Sequence, residues 1–159
     1  MTIEIRPLHV GDFADVGRIF FCAIYEGTRH VYTLDERRAW AGPTINLDHW
    51  KDRLQTLTGF IAEINEDPVG FMTIDKSGYI DLSFVSPSCA GQGIGGALLK
   101  RVELWASENG ASELSTAASL AAQPFFEKHG WQVLDAEIVT RHGTALKRFQ
   151  MRKSLQSAS

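Results

Sequence analysis

Gly91, Gly93, Gly95 and Gly96 fall within six positions of one another, where a helical stripe of Ile94, Ala97, Leu98, Val102 and Trp105 begins. A helix start leaves about four backbone N–H groups without internal partners, and the helix dipole adds roughly half a positive charge there. Glycines lack a Cβ, so a ligand can approach such a backbone closely. The chemistry this pattern offers is binding of a phosphate or diphosphate. A tight turn that binds nothing is the alternative reading.

The type of phosphate ligand narrows by spacing. The P-loop pattern fails, because Ala97 and Leu98 follow Gly96 where Lys and Ser or Thr are required. Gly91, Gly93 and Gly96 match G-x-G-x-x-G, but a dinucleotide fold needs an acid at the far end of the next strand, about 20 residues on. Here that end is Ala117-Ala118-Ser119, and Glu113 sits at the strand's start. Only 63 residues follow Gly96, too few for the rest of a typical dehydrogenase.

Phe84-Val85-x-Pro87 followed by Gly91-Gln92-Gly93-Ile94-Gly95 resembles the coenzyme-A motif of the GNAT superfamily of acyl-CoA-dependent N-acetyltransferases. The family's motif opens with Gln or Arg, where this chain has Ala90, so one diphosphate contact is lost and the amide cradle is kept. Ser119-x-x-Ala122-x-x-Phe125-Phe126-Glu127-Lys128-x-Gly130-Trp131 resembles the family's second motif, in the right order and spacing. The resemblance covers the second half of the chain well and the first third only in element order. It implies acetyl-CoA as co-substrate and an amine as acceptor. The implied cofactor-binding residues are Phe84, Val85, Gly91 to Gly96 (with Gln92 and Ile94), Ser119, Phe125 and Phe126.

Acetyl transfer to an amine needs a neutral nucleophile, a polarised thioester carbonyl and a proton for the leaving thiolate. The resemblance implies a backbone N–H near Val85 as the polarising group. For the base, strand alternation puts Tyr79, Asp81, Ser83 and Val85 on one face, and the resemblance places a water-linked base near Tyr79 and Asp81. Asp81, an acid in an apolar strand, is expected to be buried and compensated, either as that base or as a structural carboxylate. For the acid, the family's usual Tyr is Phe126 here, which cannot donate a proton. Tyr25, Tyr79 and Ser119 remain as donors, or the thiolate leaves unassisted. Ser119 can also bond the cofactor arm or cap the helix after it. The amine-binding wall is implied to come from the first helices, with Tyr25, Glu26, His30 and Tyr32 as candidates. Trp40, His49 and Trp50 stand nearby, the two Trp residues equally readable as core anchors. An aromatic and acidic wall suits a cationic amine.

The elements that must hold these groups follow from periodicity and turn residues. Ile3–Pro7 reads as a strand and Asp12 to about Val31 as a helix, broken near Glu26–His30. Leu34–Trp40 reads as a short helix, and Asn46 caps another through Leu54. Gly59–Ile64 and Val69–Asp75 form a hairpin around Asn65-Glu66-Asp67-Pro68, and Tyr79–Val85 is the central strand. Beyond the long helix, which Asn109-Gly110 stops, come a strand Glu113–Ala117 and a helix Ala121–His129. A pair, Trp131–Val139 and Thr144–Lys153, closes the chain. This order is α/β. It is similar to the single-domain GNAT fold, implying a mixed sheet splayed between two parallel strands, with helices on both faces.

At 159 residues the chain reads as one domain (1–155) with a short tail, and a chain of this size buries roughly 70% of its unfolded surface without staples. Sixteen basic and nineteen acidic side chains argue against nucleic acid as a partner. Nothing in the sequence suggests a membrane span or leader, and the isolated Cys22 and Cys89 suit a reducing cytoplasm. The five histidines show no ligand spacing, so no metal is expected. A homodimer remains open, as does the alternative of a non-catalytic acyl-CoA-binding or sensing module.

Overall fold

The computed structural model of the chain describes residues 2–155, and the tail assigned to 156–159 lies outside them. The elements run β1 (Ile3–Pro7), α1 (Phe13–Tyr25), α2 (Leu34–Ala41), α3 (Leu47–Arg53), β2 (Gly59–Ile64), β3 (Asp67–Thr73), β4 (Tyr79–Ile80) and β5 (Ser83–Val85). They continue as α4 (Ile94–Glu108), β6 (Glu113–Ser119), α5 (Gln123–Lys128), β7 (Gln132–Arg141) and β8 (Thr144–Ser154). The architecture is mixed α/β, as the sequence predicts, with boundaries shifted by a few residues. Helix α1 stops at Tyr25, at the break expected near Glu26–His30, and does not resume toward Val31; the Thr28 hydroxyl donates to the Ile24 carbonyl at 2.5 Å. Thr33 and Glu36 form a capping box that starts α2, and the Asn46 side chain accepts from the His49 N–H at the start of α3. Asn65 and Glu66 alone make the first hairpin turn, both with positive φ, so β3 begins at Asp67.

The strand predicted as continuous from Tyr79 to Val85 is divided. Strands β1-β2-β3-β5 form one antiparallel sheet, and β4-β6-β8-β7 form another in which β4 and β6 are parallel. The division has a local cause. Thr116 donates its hydroxyl to the Ile80 carbonyl at 2.8 Å, holding β4 to β6. Two residues later Leu82 belongs to the other sheet, its N–H donating to the Thr73 hydroxyl (3.0 Å) and its carbonyl accepting from the Thr73 N–H (2.9 Å). The side-chain phase resets at the same place. Ile80 packs in the cluster beneath α4, whereas Leu82 packs in the cluster beneath α1 and α3.

Those two clusters are the core. Ile94, Leu98, Leu99 and Val102 of α4 press onto the sheets, and Gly70 permits it, since a Cβ there would lie 3.1 Å from Ile94. On the other face Val16 and Ile19 of α1 meet Trp50, Ile61 and Phe71, with Gly17 giving the Trp50 ring its room. Arg6 locks β1 to the entry of α1. It bonds both oxygens of the buried Asp12 (2.8 and 3.0 Å) and Glu63 through its Nε (3.1 Å).

Gly78, just before β4, has φ +88, and a Cβ there would stand 2.2 Å from the Glu113 carbonyl oxygen. Gly78→Ala is therefore expected to destabilise the fold by at least about 2 kcal/mol, read as a lowered denaturant midpoint, with backbone strain and overpacking adding. Burial opposes ionisation of Asp12, but the Arg6 guanidinium and the His9 N–H outweigh it and hold the carboxyl below its usual range. Asp12→Asn is expected to cost about 1.5–3 kcal/mol at pH 7. A depressed carboxyl stabilises above its unfolded pKa of about 4 and stops doing so as pH falls through its folded value. The gap between native protein and Asp12→Asn should therefore close below about pH 4 in urea titrations.

Candidate active site

Helix α4 begins without a side-chain cap. Gly93 holds the N-cap position with φ +82, and no acidic residue lies in the first turn. The first intrahelical bond runs from the Ala97 N–H to the Gly93 carbonyl (3.0 Å), so the N–H groups of Ile94, Gly95 and Gly96 have no partner among the described residues. Gly91 and Gly93 both take left-handed φ and have no atom within 4 Å of where a Cβ would be. Gly95 is needed for another reason: a Cβ there would lie 3.0 Å from the Phe125 ring. The Gly-rich turn is thus an exposed nest of amides braced from behind by α5, which fits a diphosphate.

The cradle opens onto a gap between the sheets. Strand β5 pairs with β3, and beyond Ile80–Thr116 no strand pairing joins it to β6. Ser86 donates its N–H to the Val69 carbonyl at 2.7 Å, and Val85 lies opposite Gly70. In an antiparallel ladder this makes Phe84–Phe71 the pair that exchanges both hydrogen bonds. The N–H and carbonyl of Val85 then face away from β3, into the gap. On the other side Ser115 donates to the Gly78 carbonyl (2.9 Å), so by alternation Ala117 faces the gap from β6. The splay implied from sequence, between the strands ending at Val85 and Ala117, is present. Two free backbone edges line it.

A cavity of about 590 Å³ continues from the gap. Phe20, Trp40, Trp50 and Arg53 wall one side, Tyr79, Asp81 and Phe84 form its floor, and Ala117, Ser119 and Phe126 lie opposite. The β7–β8 hairpin closes it with Arg141, Lys147 and Arg148. Phe126 is buried against Phe125 and Trp131, a packing residue as its type implies. The Ser119 hydroxyl accepts from the Ala122 N–H at 3.1 Å, closing the turn before α5, and its own proton is free to donate. Burial pushes the Tyr79 phenol up, Asp81 adds in the same direction and Arg148 opposes, so Tyr79 keeps its proton.

Several expected placements are corrected. Asp81 is not buried: it sits at the break between β4 and β5, its side chain 43% exposed, and accepts from Arg53 at 2.5 Å. Val85 does not share its face, because the break resets the alternation and Val85 packs toward α4. Tyr25 points away, its hydroxyl donating to the Gly42 carbonyl at 2.5 Å, and neither it nor the exposed Glu26 and His30 lines the cavity. The turn that follows α1 carries that segment outward. Tyr32 does line the cavity, but its hydroxyl is committed. It donates to the Lys147 carbonyl and accepts from the Leu120 N–H, both at 2.9 Å, tying the α1–α2 loop to β8 and to the end of β6, on one side of the gap. The sequence reading missed Arg53 and Arg148. Arg148 lies opposite Ser119 in the β6–β8 ladder, a long-range register that no local pattern reveals. Among the described residues no group of His, Cys, Asp and Glu is placed to hold a metal ion.

The family model for the acetyltransferase (GNAT) domain matches residues 28–155. The uncharacterized N-acetyltransferase YafP of Escherichia coli K12 is 37% identical over 151 residues, 95% of each chain. The crystal structure of a GCN5-related N-acetyltransferase from Rhodopseudomonas palustris is 30% identical and superposes with a TM-score of 0.91, over 98% of this chain and 97% of that one. The PaiA N-acetyltransferase of Thermoplasma acidophilum, solved in complex with coenzyme A, shares the fold at 18% identity, with a TM-score of 0.79 over 98% of this chain and all of that one. The chain described here belongs to the GNAT acetyltransferase family.

Proposed function

We propose that the protein transfers an acetyl group from acetyl-CoA directly to a primary amine of a small molecule or protein. The observation that carries this reading is the run of unpartnered amides at Gly93–Gly96, set at the mouth of a gap whose edge presents the Val85 N–H. Gly91 to Gly96 hold the diphosphate, with Gln92 at the exposed rim, and Phe125 and Phe126 pack beside the arm that enters the gap. When bound, acetyl-CoA supplies a thioester whose acyl carbon the amine attacks. The Val85 N–H polarises the acyl oxygen, a main-chain role that no side-chain change removes. Asp81 takes the amine's proton, through water, as the C–N bond forms. As the C–S bond breaks, the hydroxyl of Ser119 or Tyr79 protonates the leaving sulfur in place of the absent Tyr at Phe126. The protein works in a reducing compartment, consistent with the unpaired Cys22 and Cys89.

Phe126 supports a second reading, a non-catalytic acyl-CoA sensor, because no hydroxyl stands where the family places its acid. Thiol release over an amine panel separates the two: binding without turnover on every amine favours the sensor.

Two substitutions test the assignments. Joint replacement Gly91→Ala and Gly93→Ala forces Cβ atoms into left-handed backbone at the cradle. It is expected to weaken coenzyme A binding at least about tenfold by calorimetry, with the fold retained by circular dichroism. Asp81→Asn should lower kcat/KM by about 100-fold or more with coenzyme A affinity unchanged, and unaltered transfer would remove Asp81 from the mechanism.

A further inference from the structure

The cavity beyond the gap is charged oppositely to the chain as a whole. The chain has 19 acidic and 16 basic side chains. Yet among the Asp, Glu, Lys and Arg residues lining the cavity, Arg53, Arg141, Lys147 and Arg148 face a single acid, Asp81. The cradle at residues 91–96 contributes nothing to this lining. The cations therefore face something other than the diphosphate of the cofactor. The acidic wall expected from Glu26 is absent, since that residue lies outside the cavity.

Two of these cations are held in place with donors to spare. Arg53 spends its NH2 group on Asp81 and lies over the Trp50 ring, its central carbon 6.0 Å from the ring centre. Arg148 donates through Nε to Glu137, which also accepts from Gln150 at 2.8 Å. The NH1 and NH2 groups of Arg148 and the Nε and NH1 groups of Arg53 have no partner among the described residues. A half-buried guanidinium, fixed by one carboxylate and open along another edge, is suited to planar, two-point recognition of a second carboxylate. Because Asp81 and Glu137 already offset one charge each, the inner cavity carries little net charge, and its free N–H groups select planar two-point geometry, that of a carboxylate, over high anionic charge. Arg141 and Lys147, both exposed, add a screened attraction at the rim.

We propose that the acceptor is a small molecule carrying a carboxylate as well as its amine, an amino acid or close analogue, with the carboxylate on the free edge of Arg148 and Arg53 beside it. Arg148 is positioned for this by its place opposite Ser119 on β8, at the side of the gap. That the bound amine is then acetylated rests on the function proposed above; the binding preference does not.

The test is a panel of α- and ω-amino acids, each titrated against its decarboxylated amine into protein saturated with coenzyme A. Phenylalanine with 2-phenylethylamine and lysine with 1,5-diaminopentane are two such pairs, and glycine with aminomethylphosphonate compares the anions. At least one carboxylate-bearing member should bind at least about tenfold tighter than its partner, the scale of a charge-assisted hydrogen bond. In steady-state acetyl transfer, Arg148→Gln should raise KM for that compound about tenfold with little change in kcat or in coenzyme A affinity. The wild-type comparison needs no variant, so a poorly folding Arg148→Gln leaves the test intact. Equal or tighter binding of the decarboxylated amines, no binding by any member, or preference for the phosphonate overturns the proposal. A carboxylate preference in binding with no acetylation upholds it and instead overturns the transferase reading.

Discussion

The structure depends on where one short segment spends its backbone hydrogen bonds. Residues Tyr79 and Ile80 bond to β6, while Ser83–Val85 bond to β3, and the chain changes allegiance within two residues. A continuous strand would satisfy both neighbours and leave a closed sheet. Divided in this way, the sheet has two inner edges whose amides and carbonyls have no strand partner. Unpaired backbone groups in a protein interior are costly, so an edge of this kind implies a solvent or ligand that completes it. The Thr73 and Thr116 hydroxyls reinforce the change of partner from either side.

From that division follows a site built mainly from main chain. The free edge of β5, the Gly-rich turn and the uncapped start of α4 are consecutive in sequence and present N–H groups toward one opening. Backbone donors do not depend on side-chain identity, so the amide cradle is unaltered by Ala90 and Phe126 at positions where the family places polar groups. Side chains matter instead in the cavity beyond the gap. There the aromatic wall takes Phe20 and Trp40 from the first helices and Phe84 from β5, while the cations come from the β7–β8 hairpin near the other end of the chain.

The parts legible in sequence were those set by local chemistry. The α4 stripe, the glycine run, the Asn46 cap and the Thr144–Lys153 strand all lie within a few residues of where periodicity and turn residues put them. The division of Tyr79–Val85 was not legible, because an apolar run carries no mark of which neighbour each residue bonds. The misplacement of Asp81 as buried followed from that. Tyr25, Glu26 and His30 enter the expected acceptor wall through the family resemblance alone, and no local pattern shows that the turn after α1 carries them outward. Arg148 carries no local signal of a site, since only the β6–β8 register brings it beside Ser119.

The central claim is that a carrier diphosphate and thioester complete the free amides of residues 93–96 and Val85. Amide chemical shifts recorded during titration of ¹⁵N-labelled protein with acetyl-CoA test it most directly. The account predicts that the N–H resonances of Val85, Ile94, Gly95 and Gly96 move downfield together and saturate, while those of the β1–β2 ladder stay put. Saturable binding that leaves these four resonances unmoved would contradict it.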